Sequence, residues 1–147
     1  MDLNTDWKEF VELLNANGVE YVVVGALALA FHGYPRHTGD IDFFVRDSEE
    51  NATRLLSVLN AFGFGSLGLG IDDFRGGPGV VQLGYPPRRI DILTEIESVS
   101  FEQAWTNRVS GPLNGLTVNY ISAEDFITNK RAVGRPKDLA DAAALED

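Results

Sequence analysis

Cysteine is absent from the 147 residues, which excludes disulfides and thiolate-held zinc or iron–sulfur clusters. Histidine occurs twice, as His32 and His37, and with no third histidine or cysteine the pair makes a poor zinc site. No apolar run is long enough to cross a bilayer, since the longest, around Tyr21–Phe31, is interrupted by Gly25. The opening Met-Asp-Leu-Asn carries no basic stretch leading into a hydrophobic one, so no secretory signal is read and the expected location is the cytoplasm. Positive charge is also scarce: 12 Lys and Arg against 22 Asp and Glu leave a net charge of −10. A chain this acidic is repelled on average by nucleic-acid backbones and anionic membranes. Four of its twelve cations, Lys130, Arg131, Arg135 and Lys137, nevertheless fall within eight residues. A polyanionic ligand would meet that basic patch, or arrive with a metal ion.

What is present suits a folded chain. Hydrophobic residues make up 44% and charged ones 23%, ordinary values for a globular protein, and the length fits one domain over 1–147. Apolar spacing predicts a helix from Asp6, stopped by Gly18. Tyr21–Val24 is a β-branched run that suits a buried strand, followed by a small-residue helix over Ala26–Phe31 that Gly33-Tyr34-Pro35 closes. Asp40–Val45 reads as a second strand, and Asp47-Ser48-Glu49-Glu50 opens a helix running to Phe62. Gly63–Gly79 reads as a loop with a short turn near Asp72–Phe74, a mobile lid being one use for it. Val80–Tyr85 and Arg89–Leu93 are predicted strands joined across Pro86-Pro87, Phe101–Arg108 a helix, and Leu116–Ile121 a late strand. Ser122 is the predicted N-cap of a further helix, with Asp125 in the place of the capping-box acid, and Asp138–Leu145 supplies a last helix. The expected fold class is α+β, a mixed sheet flanked by helices with two helices at the C-terminal end.

The chemistry concentrates between Gly25 and Asp91. Residues two apart on a strand face the same side, so Asp40 and Asp42 project together while Ile41 and Phe43 point away. Two ionised carboxylates about 6.6 Å apart along the backbone repel each other, and a divalent cation between them relieves that. Asp91 stands in an otherwise apolar strand; if that strand neighbours the first, Asp91 comes within about 5 Å laterally. Three such acids suit magnesium and the in-line phosphoryl displacement that metal ions promote. Arg36 is placed to steady a phosphate or to pair with Asp40, and Thr38 to orient a carboxylate or shape a turn. His32 reads as a helix-end residue bonding a terminal carbonyl, and Trp7 and Trp105 as core anchors.

The stretches Val24-Gly25-Ala26-Leu27-Ala28, His32 through Asp42, Ile90-Asp91-Ile92 and Lys130 through Asp138 together resemble the nucleotidyltransferase superfamily with the DNA polymerase β-type fold, and most of all its small bacterial AbiEii-like members. The resemblance implies a minimal nucleotidyltransferase fold that transfers a nucleotidyl group from an NTP such as ATP to an acceptor hydroxyl, with Mg²⁺ or Mn²⁺ as cofactor. It implies that Asp40, Asp42 and Asp91 hold the metal, that Asp91 helps activate the hydroxyl, and that Lys130 acts in catalysis. Gly25, Ala26, Arg36, Thr38 and Asp138 then line the nucleotide site. Where the family usually has Gly-Gly or Gly-Ser, this chain has Gly25-Ala26, so only a backbone N–H is offered to phosphate there. The acceptor expected is tRNA, a protein or a small molecule, with an antitoxin as a further partner if the chain acts as a toxin, and a homodimer as one way to complete the acceptor side. The alternative is a nucleotide-binding or interaction module with the same fold and weak or no turnover.

Overall fold

The computed structural model describes residues 5–35, 37–76 and 79–146. Helix α1 (Thr5–Ala16) leads into β1 (Tyr21–Val24), α2 (Gly25–Phe31), β2 (Asp40–Val45) and α3 (Glu49–Phe62). Two short 3₁₀ turns, Gly65–Leu67 and Ile71–Phe74, precede β3 (Val80–Leu83) and β4 (Arg89–Leu93). Then come α4 (Phe101–Thr106), the hairpin β5 (Val109–Leu113) and β6 (Leu116–Tyr120), and the helices α5 (Ala123–Val133) and α6 (Pro136–Glu146). Among the described residues six strands form one mixed sheet in the order β3-β4-β2-β1-β6-β5. β1 runs antiparallel to β2, while β2 and β4 are parallel, as are β1 and β6. The expected mixed sheet flanked by helices is the fold observed.

The central strands are central because both of their faces are apolar. All four residues of β1 are buried, as are Ile41, Phe43, Phe44 and Val45 of β2. Phe43 meets Phe10 of α1 and Tyr21, each ring centroid 5.6 Å away, and Phe10 packs edge-on to Phe62 of α3 at 5.2 Å. On the opposite face Phe44 packs against Phe101 of α4 at 5.2 Å. Phe10, Tyr21, Phe43 and Phe44 are fully buried, and each such side chain stabilises the fold by about 1.5–3 kcal/mol. Phe44 shares its face with Asp42 and Asp40 by strand parity, so α1 and α3 seal one side of the sheet and the acids open on the other.

Several expectations are refined. Val109–Leu113 is a strand that the sequence reading left out, and it occupies one edge of the sheet. Its hairpin turns at Asn114-Gly115, both with positive φ (52° and 85°), the backbone that a tight two-residue turn requires. The glycine-rich stretch is anchored rather than free: Phe74 is buried, and Asp47 accepts from Arg75 Nε at 2.8 Å and from the Gly76 amide at 2.9 Å. Ser122 caps α5 as expected by accepting from the Asp125 amide. The Asp125 carboxylate does not complete the capping box. It turns to Gln103 and Asn107, accepting at 2.8 and 3.2 Å, and so ties α5 to the end of α4. The last helix starts at Pro136, because proline fits the first helical position, where its missing N–H costs nothing. His32 bonds the Ile121 carbonyl at 2.7 Å, across to the end of β6 rather than within its own helix. Trp7 is the buried anchor expected, whereas Trp105 is half-buried beneath Arg108, whose guanidinium carbon lies 3.7 Å from the ring centroid.

Candidate active site

Backbone register builds the site. Val24 at the end of β1 pairs with Asp42, and Asp42 pairs across to Asp91 on β4, so three segments remote in sequence converge at one point. One carboxylate oxygen from each of Asp40, Asp42 and Asp91 lies within 4.8 Å of the others. They line an open cleft of about 720 Å³ with Gly25, Ala26, Thr38 and Lys130. Gly25 follows β1 directly with φ +71°, and a Cβ placed on it would lie 2.2 Å from Asp42 Oδ2. The glycine is therefore what lets the chain turn hard against the carboxylate.

Electrostatics within the trio are strained. Burial pushes the Asp42 carboxyl up to about 7, the neighbouring charges of Asp40 and Asp91 add to the rise, and Lys130 opposes it. Thr38 Oγ1 fixes Asp40: it lies 3.1 Å from Asp40 Oδ1 and 3.0 Å from the Asp40 carbonyl oxygen, donating its single proton between them, and it accepts the Asp40 amide at 3.3 Å. Asp91 is buried, and Arg89 faces its carboxylate, with Nη2 donating to Oδ2 at 3.2 Å and Nε 3.0 Å from Oδ1 without hydrogen-bond alignment. Three carboxylates gathered within 4.8 Å, one of them buried and one pushed up to about 7 by burial and by its neighbours, fit a hard divalent cation, for which oxygen donors are preferred.

A cationic wall faces the acids. Lys130, Arg135 and Lys137 line the cleft, whereas Arg131 turns away to Glu146. Asp138 is not among the lining residues. Its fully buried carboxylate accepts from Arg135 Nε at 2.6 Å and lies 3.6 Å from Lys130 Nζ, so it acts on the cleft by holding two of its cations. The Arg135 hydrogen bond, with Lys130 and Arg135 charges behind it, holds the Asp138 carboxyl below its ordinary 3.8. That contribution is complete above the unfolded-state value and fades as pH falls through the lower folded one. Asp138→Asn is therefore expected to cost about 1–3 kcal/mol at pH 7, less than for a pair wholly out of water because Arg135 is largely exposed. Denaturant titrations of both proteins check this, and the difference should shrink on acidification below pH 4.

Arg36 lies outside the described residues. Among the described residues Asp40 pairs with Arg89, which the sequence reading passed over: its Nη2 donates to Asp40 Oδ2 at 2.7 Å. Glu95 and Glu97, in the segment that follows β4, also line the cleft.

The comparisons bear on this geometry. A family model described as "Nucleotidyltransferase of unknown function (DUF6036)" matches residues 3–146. The chain belongs to this family. A solved structure, an antigenic nucleotidyltransferase-like protein from Paracoccidioides brasiliensis, is similar at TM-score 0.50 and 18% identity, over 95% of this chain and 74% of that one. At that identity the likeness speaks for the fold, which is nucleotidyltransferase-like. No curated protein matches the chain.

Proposed function

We propose that this member of the DUF6036 family transfers a nucleotidyl group from an NTP to an acceptor hydroxyl, with Asp40, Asp42 and Asp91 holding Mg²⁺ or Mn²⁺. The observation that carries the reading is the convergence of the three carboxylates within 4.8 Å beneath Gly25, in a cleft whose other wall is cationic. The ion, when bound, offsets phosphate charge and favours displacement at the α-phosphorus. Lys130 faces the same cleft, backed by Asp138, and offers positive charge to the departing pyrophosphate. Asp91, the buried member of the trio, accepts the acceptor's proton on this reading as the acceptor oxygen bonds to phosphorus and the bond to pyrophosphate breaks, and Arg89 must yield its contact with the Asp91 carboxylate for this. Ala26 contributes backbone alone, and Gly25 and Ala26 leave room for the phosphates to approach.

The reading needs neither a toxin role nor an antitoxin. Glu95 and Glu97 add negative charge to the cleft, and with the net charge of −10 they favour a small-molecule or protein acceptor over tRNA. Calorimetry is expected to show ATP or CTP binding that requires magnesium, and label from the α-phosphate is expected to appear on an acceptor as pyrophosphate is released. Nucleotide binding indifferent to magnesium and to Asp42→Asn would overturn the proposal. The second reading, a binding module without turnover, draws on Ala26, which lacks a phosphate-binding hydroxyl, and on Arg89, which already engages two of the acids. Metal-dependent binding with no transfer to any acceptor class would favour it.

A further inference from the structure

Arg89 and Asp91 are two apart on β4 and so share a face, and the register sets Arg89 opposite Asp40 on β2. The guanidinium uses this position to bridge two acids. Nη2 donates to Asp40 Oδ2 at 2.7 Å and to Asp91 Oδ2 at 3.2 Å. Nε stands 3.0 Å from Asp91 Oδ1, an ion pair without hydrogen-bond alignment. Asp42 has no hydrogen bond or ion pair with Arg89, and the cation whose charge acts on it is Lys130, itself engaged with Asp138. A bound cation keeps all three carboxylates ionised, and with the one guanidinium they then carry two net negative charges, which a single divalent ion neutralises. A second ion in the absence of nucleotide would stand against Arg89, with like charges competing for the same oxygens.

We infer that Arg89 is a resident counter-ion that limits the nucleotide-free protein to one divalent cation, held mainly through Asp42 and the lone pairs of Asp40 and Asp91 that Arg89 leaves open. A second ion can then enter only with the negative charge of a nucleotide, or after Arg89 swings out. Arg89 is on this account a positioning residue: it sets the charge and orientation of Asp40 and Asp91 and touches no reacting atom. The inference rests on the metal-binding reading above and goes beyond it in assigning a stoichiometry.

The probe is Mn²⁺ alone, titrated into the full nucleotide-free chain and counted by electron paramagnetic resonance of the free ion, with calorimetry for affinity. The wild-type chain should take up one ion. Arg89→Gln should bind its first ion at least ~10-fold more tightly, since a nearby positive charge has gone, and should take up a second ion at concentrations where the wild type holds one. Arg89→Lys keeps the charge and should stay at one ion, within ~3-fold of wild-type affinity despite losing the fork geometry. Two ions in the wild type overturn the inference and leave the metal reading intact, and that measurement needs no variant. Weaker manganese binding in a folded Arg89→Gln also overturns it, because that sign belongs to a residue that merely props the acids. No manganese uptake by the wild type or by Arg89→Gln defeats the metal reading itself, and the inference with it.

Discussion

Asp42→Asn should lower nucleotidyl transfer at least ~100-fold, on the order of 3 kcal/mol of barrier, while making the metal-free protein more stable. Both effects have one origin. Asp42 sits between Asp40 and Asp91, buried enough that its carboxyl is pushed up to about 7. The metal-free fold therefore keeps a proton that the unfolded chain, with an ordinary value of 3.8, has already released. Between those values folding binds a proton, so stability declines as pH rises through the interval and the full deficit is present above about pH 7. Asparagine has the same shape without the charge. The stability difference between variant and wild type, measured in chelator by denaturant titration, should be small near pH 4 and grow to about 2–4 kcal/mol at pH 8. Magnesium should then narrow the gap, since the wild type gains from binding an ion that the variant holds poorly. A variant that transfers at the wild-type rate would remove Asp42 from the mechanism. One that is inactive and also less stable at pH 8 would mean that the carboxylate was never under repulsion.

The acid trio was legible because strand periodicity is simple. A two-residue repeat places Asp40 with Asp42, and the apolar neighbours of Asp91 mark β4 as an interior strand, so the lateral partner was a small step. The register of Asp42 with Asp91 then matches that expectation. Arg89 follows from the same parity, two residues before Asp91, yet it reads as an ordinary strand-end cation until the register places it beside Asp40. Asp138 differs for another reason. The resemblance puts it at the nucleotide site, whereas its carboxylate is fully buried between Lys130 and Arg135 and does not line the cleft, a tertiary arrangement that local sequence does not encode. β5 was missed because Val109-Ser110-Gly111-Pro112-Leu113 holds two residues that strands avoid. An edge tolerates the proline, and Gly111 is required: a Cβ there would fall 2.4 Å from the Phe31 ring, which stacks on Tyr120 at 3.9 Å. The Asn114-Gly115 pair was the usable signal for that hairpin. The anchoring of the glycine-rich stretch by Phe74, Arg75 and Asp47 is tertiary, and local composition says nothing about it.

Gly25→Ala is expected to be the most damaging single-methyl change in the chain, and for two separable reasons. The first is local. At φ +71° an alanine pays roughly 1–2 kcal/mol for the left-handed backbone whatever surrounds it. The second is the site: the new Cβ would lie 2.2 Å from Asp42 Oδ2, inside any permissible contact, and a tight 3.1 Å from its Cγ. Either β1 shifts against β2 or the Asp42 carboxylate rotates away from Asp40 and Asp91, and rotation is the cheaper of the two. Transfer should therefore fall at least ~100-fold, as though Asp42 were gone, with manganese affinity falling in parallel and stability dropping by about 2–3 kcal/mol. The two contributions separate in a double-mutant cycle. In an Asp42→Ala background the methyl meets no carboxylate, so the stability cost of Gly25→Ala should shrink to the backbone share of about 1–2 kcal/mol. Equal costs in both backgrounds would show that the glycine serves the turn alone. Undiminished manganese binding by Gly25→Ala would show that Asp42 is not held where the metal reading needs it.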